Sequence, residues 1–280
     1  MIKTIFKFLL ATASFCVLFI VANTLLPFSK GFRELGASGD TMALLFLFAY
    51  SAWTCFAIYF VIKHTEYNGK KLFINLFLVM FFIQYFMTQI ETLFYGNAFT
   101  VITKFDIILM MLTGAFPLLG AIALMIKFFQ NKNTVCEKIK MNIKDTIIKL
   151  GIIGIIYFFV YSVFGYLVAW RSEELRLFYT GLTDYNIQTN SVIIPYVILR
   201  GILFGIAIIP LKNMVNKNRT VFTISVCLIF LCTAVSLIIP NVLLPNTVRI
   251  AHLMEMSSSM FVFGIIVANI LWDNNKKTCA

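Results

Sequence analysis

Apolar residues along this 280-residue chain fall into long unbroken runs, separated by short polar stretches. A helix rises about 1.5 Å per residue, so about 20 apolar residues cross a hydrocarbon core about 30 Å thick. Eight runs are long enough, over residues 5–26, 41–62, 72–94, 107–126, 147–169, 191–210, 221–239 and 250–272. They predict an all-α, polytopic integral membrane protein, a bundle of about eight transmembrane helices. The whole of 1–280 then forms one transmembrane domain with no soluble domain. The longest connections, around 127–146 and 170–190, are too short to fold on their own.

Composition narrows the class further. Only 12% of residues are charged and 60% are hydrophobic, whereas soluble domains carry roughly 25% charged residues. The net charge of +11 needs no nucleic acid to explain it, because the basic residues gather on one side of the predicted spans. With the N-terminus inside, the inner segments hold Lys3 and Lys7, Lys63 to Lys71, Lys127 to Lys149, Lys212 to Arg219, and Lys276 and Lys277. The outer segments hold only Lys30, Arg33, Lys104, Arg171, Arg176 and Arg249. Cytoplasmic segments retain positive charge during insertion, so both termini are expected in the cytoplasm. The expected location is a cell membrane, either a bacterial inner membrane or a plasma membrane, with membrane lipids as partners.

The densest basic stretch, residues 132–149, spaces Val135, Ile139, Ile143 and Ile147 four apart with lysines between them. It reads either as a helix lying on an anionic leaflet or as a solvated loop. The first span opens like a secretory signal, but its apolar run continues to Leu26, so an uncleaved signal anchor is expected. None of the six cysteines lies in a predicted outer loop, and no structural disulfide is expected.

Familiar catalytic signatures are missing from the sequence. It contains no P-loop and no dinucleotide-binding glycine pattern, and its two histidines, His64 and His252, form no HExxH. Glu173, Glu174 and Arg176 do not have the spacing of a CAAX-type intramembrane protease. A four-plus-four repeat is not legible either. "GFRELG" in the first outer loop and "RSEELRLF" in the third echo each other only faintly.

What chemistry there is lies inside the spans. A charge at a helix centre costs about 2.5–3.5 kcal/mol on an insertion scale, so Glu91, Arg200, His252 and Glu255 need partners. Helical phase at about 100° per residue sets Gln84, Thr88 and Glu91 on one face of the third span. His252, Glu255 and Ser259 share a face of the eighth, with Arg249 beside them, and Tyr196 lies one turn from Arg200 on the sixth. These nine residues form the candidate binding site, a funnel open to the outer face and floored by Arg200, with Glu91 or Glu255 as the partner of that arginine. Snorkelling side chains and a single structural ion pair are the plainer alternative.

Gly201 and Gly205 on the sixth span, and Gly151 and Gly154 on the fifth, would allow close helix approach. Pro117 and Pro195 predict kinks. Small polar solute transport or binding is the function expected first. An intramembrane enzyme acting on a lipid or lipid-linked substrate is the alternative, with Glu91, His252 and Glu255 as candidate metal ligands. A noncatalytic membrane subunit is the third reading. The sequence specifies no cofactor and no particular small-molecule ligand.

Overall fold

A computed structural model of the protein describes residues 2–36, 42–94, 102–130, 142–168, 171, 173, 187–215, 218–240 and 244–272. Among the described residues there is no strand, and eight helices are long and apolar enough to cross a membrane. They are α1 (Ile2–Leu25), α2 (Ala43–His64), α3 (Gly69–Phe94), α4 (Lys104–Phe129), α5 (Ile143–Leu167), α6 (Ile187–Met214), α7 (Arg219–Ile238) and α8 (Asn246–Leu271). A short helix, Lys30–Gly36, follows α1. In lipid every backbone polar group must be satisfied within the protein, and helices do this segment by segment. The large aliphatic side chains left exposed on the spans, such as Leu25, Ile147 and Leu199, suit a surface solvated by lipid chains.

Helix starts are fixed by side chains that accept from the first free backbone N–H groups. Thr103 and Asp106 form a reciprocal capping box at the start of α4. Asn142 accepts from the Lys144 amide and so starts α5, and Asn218 caps α7 in the same way. Ile143 and Ile147 therefore belong to a membrane-spanning helix. Residues 132–141 of the basic stretch, with Cys136, lie outside the described residues, as do Glu174, Arg176, Cys279 and most of "RSEELRLF". Cys16, Cys55, Cys227 and Cys232 are free thiols.

The prolines expected to kink their spans do not interrupt them. The backbone of α4 stays helical through Pro117, and α6 stays helical through Pro195 and Pro210. The irregular span is α3, where Phe82–Phe86 forms a π-helical turn. Such a turn contains an extra residue, so the helix beyond it is rotated relative to the helix before it.

In the packing, α1 lies against α2 and α4, and α4 also touches α2 and α3. Helix α5 lies against α6 and α8, and α7 against α8. The two groups meet where α2 touches α7 and where α3 touches both α6 and α7. Both ends of the bundle are tied by hydrogen bonds. At one end the Ser29 amide and hydroxyl donate to the two oxygens of Asp106, each at 2.7 Å. At the other, the Thr65 hydroxyl and the Glu66 amide donate to the carbonyl of Met214, at 3.1 and 3.0 Å. We refer to these as the Ser29 end and the His64 end.

Candidate functional site

Arg200 is in the middle of α6 and is 2% exposed. Its position is made possible by close packing of α5 on α6. A Cβ on the next residue, Gly201, would lie 2.5 Å from Tyr157 Cβ and 2.9 Å from Gly154 Cα, so the two backbones can approach only because both positions are glycine. The guanidinium faces the rings of Tyr157 and Phe204, at 5.9 and 5.7 Å from their centroids, within cation–π range.

Its charge is balanced from another helix. Arg200 Nη2 donates to Glu91 Oε2 at 2.5 Å, joining α6 to α3. Glu91 therefore supplies the arginine's partner, and Glu255 is engaged elsewhere. The Arg200 Nε and Nη1 groups are buried without a hydrogen-bond partner among the described residues. One turn toward the Ser29 end, the Tyr196 ring stacks on Phe94 with centroids 3.8 Å apart and planes 6° apart. This aromatic pair crosses between the same two helices as the ion pair.

On α8, His252 Nδ1 and Glu255 Oε2 are 3.1 Å apart. Phe263, further along α8, packs on the same Tyr157 and Phe204 rings that face Arg200, so both pairs lie near one aromatic cluster. Glu255 faces α5, where a Cβ on Gly165 would meet only its Oε1, at 3.8 Å. Glu91 and His252 keep 21% and 25% of their side chains exposed, while Glu255 keeps 9%. Toward the His64 end the neighbourhood is closed by aromatic rings. Phe204 packs on Phe230 at 5.3 Å and on Phe263 at 6.0 Å, and Tyr157 packs on Phe263 at 4.8 Å.

Among the other candidates from the sequence, Gln84 and Arg249 are engaged elsewhere, and Thr88 and Ser259 bond within their own helices. Gln84 sits in the π turn, and its amide nitrogen donates to the Tyr50 hydroxyl at 2.5 Å and to Thr54 Oγ1 at 3.0 Å. Tyr50 in turn donates to the Tyr85 hydroxyl at 2.9 Å. The common face expected for Gln84 and Glu91 assumed a regular helix; with Gln84 inside the wide turn, its amide bonds to α2 while Glu91 bonds to α6. Thr88 donates to the Gln84 carbonyl within its own helix, and Ser259 donates to the Met256 carbonyl. Arg249 serves another purpose. Its Nη1 donates to the carbonyls of Leu237 and Ile238 at 2.8 and 2.9 Å, closing the end of α7.

Among the described residues, no three His, Cys, Asp or Glu side chains gather closely enough to hold a metal ion. The candidate triple of Glu91, His252 and Glu255 does not assemble, because Glu91 turns to Arg200 while the other two engage each other. Sequence reasoning missed Tyr50 and Thr54 as partners of Gln84, and Tyr157 and Phe204 as neighbours of Arg200. Their signal, aromatic or hydroxyl residues in an apolar run, does not stand out from packing residues. Against known proteins, the chain matches no family model, no curated protein and no solved structure.

Proposed function

We propose that the bundle binds a small polar solute carrying an anionic group at Arg200 and passes it across the membrane. The observation that carries this reading is the buried guanidinium with two nitrogens, Nε and Nη1, lacking hydrogen-bond partners among the described residues. Buried donors without acceptors are costly, and a charge at this depth without a task is rare. A carboxylate or phosphate oxygen would complete the arginine's hydrogen bonding, while Glu91 already balances its charge.

The surroundings fit a bound solute. Glu91 and His252 are partly exposed, and the Phe204, Phe230 and Phe263 rings form an apolar floor. The distribution of Lys and Arg supports an orientation with the Ser29 end outside and both termini in the cytoplasm. The solute therefore enters from outside and leaves after the floor parts. A metal-dependent enzyme is less well supported, because the candidate ligands do not gather.

The test uses purified protein in nanodiscs. Small carboxylates, phosphate esters and zwitterionic amino acids are screened for thermal stabilisation, then for uptake into proteoliposomes. At least one class should bind to the wild type, lose at least tenfold in affinity in Arg200→Gln, and bind normally to Arg249→Gln. Failure of every class to bind, or equal binding to Arg200→Gln, overturns the reading.

A further inference from the structure

The two groups of helices repeat one another in register. Between residues 43 and 62 of α2, nine residues are buried, from Leu47 to Ile62. Between 193 and 212 of α6, nine are buried, each 150 positions further on, from Val197 to Lys212, and no others in that segment. The same offset relates α3 to α7. Leu72, Leu76, Val79, Met80 and Ile83 correspond to Phe222, Val226, Ile229, Phe230 and Thr233, all buried. The helix starts match as well, with Asn68 and Asn218 both at the N-cap.

An offset of 142 relates the outer members of each group. Nine of the eleven buried positions of α4, from Asp106 to Phe129, have a buried residue 142 positions on in α8. Ala11, Thr12 and Phe15 of α1 correspond to Ile153, Gly154 and Tyr157 of α5. The offsets differ only by the lengths of the loops at the Ser29 end.

Burial alone could repeat by chance in apolar helices, but the neighbours repeat too. Helix α1 packs on α4 as α5 packs on α8, and α2 packs on α4 as α6 packs on α8. The contact of α2 with α7 has its counterpart in that of α6 with α3, and α3 meets α7. Exchanging the groups maps each of these contacts onto another, and the α3–α7 contact onto itself, as a two-fold axis requires.

We infer that α1–α4 and α5–α8 are two copies of one four-helix unit, and that the Arg200–Glu91 pair latches the seam between them. Four spans return the chain to its starting side, so both copies face the same way and the axis runs along the membrane normal. Arg200 stands at the position of Tyr50, and Glu255 at that of Thr113. The second copy therefore carries charge where the first carries hydroxyls. Glu91 belongs to the first copy, so the ion pair bridges the two. Parallel repeats of this kind hold substrates at the seam and work by rocking one repeat against the other. The inference stands on register and neighbours and needs no solute to be identified.

Two measurements test it. In an experimental structure in nanodiscs, a single two-fold rotation should superpose 43–62 on 193–212, 72–83 on 222–233 and 106–129 on 248–271. A need for unrelated rotations overturns the duplication. The latch is tested by electron–electron distance measurements between spin labels on unnatural amino acids, which leave the native cysteines in place. Labels at the equivalent, exposed positions Leu25 and Leu167 span the seam, while labels at Leu25 and Leu93 stay within the first copy. Glu91→Gln should shift or broaden the Leu25–Leu167 distance by several ångströms and leave Leu25–Leu93 as in the wild type. No change across the seam, or equal change within the copy, overturns the latch.

Discussion

Arg200 Nη2 and Glu91 Oε2 meet at 2.5 Å across 109 residues of sequence, the charged contact between α6 and α3. Removing one partner of a buried pair leaves an uncompensated charge, at a cost of about 3–5 kcal/mol. Glu91 keeps 21% exposure, which lowers the expected cost of Arg200→Ala toward the bottom of that range. The double variant Arg200→Leu with Glu91→Leu should recover most of the lost stability. Thermal unfolding in detergent compares the three proteins, and a double variant no more stable than Arg200→Ala would show that the pair is not coupled.

Gly201→Ala should destabilise by about 1–3 kcal/mol, the usual cost of overpacking, because the new Cβ would meet Tyr157 and the Gly154 backbone. Gly151→Ala is the control. A Cβ there meets nothing within 4 Å, and alanine is the better helix former by about 1 kcal/mol. Equal melting temperatures for the two variants would contradict the close α5–α6 approach.

Arg249→Ala should lower stability by about 1.5–3 kcal/mol, the usual worth of hydrogen bonds to a charged group, since the Leu237 and Ile238 carbonyls lose their donor. Solute affinity measured on the folded fraction should not change. A large fall in affinity would move Arg249 back into the binding site.

Orientation is tested from outside intact cells with a membrane-impermeant thiol reagent, in a background lacking Cys136 and Cys279. Lys30→Cys, on a side chain 90% exposed at the Ser29 end, should label. Asn68→Cys, exposed at the His64 end, should not. The reverse result would invert the bundle.

The eight spans were legible in the sequence because hydrophobic length alone determines a membrane helix. Arg200 and Glu255 stood out as candidates for the complementary reason, that lipid gives neither a partner. Asp106 could also have been read, since Thr103 followed three positions later by an acid before an apolar run is a capping pattern. The fate of Gln84 was not legible, because a π turn is decided by tertiary packing and shifts the phase on which the prediction depended. The duplication was hidden for a different reason. What the two copies share is which positions are buried, and lipid-facing and protein-facing positions use the same apolar residues.

The wide turn at Phe82–Phe86 gives α3 two independently set azimuths. Below it, Leu72, Leu76 and Val79 keep their buried positions, and beyond it Glu91 is aimed at α6. Removing one residue from that turn would wind 87–94 back by about 100°, carrying the carboxylate off the α6 face while the first half of the helix stayed seated. A one-residue insertion or deletion in this stretch could therefore change what the third span presents to the sixth without repacking the rest of the bundle.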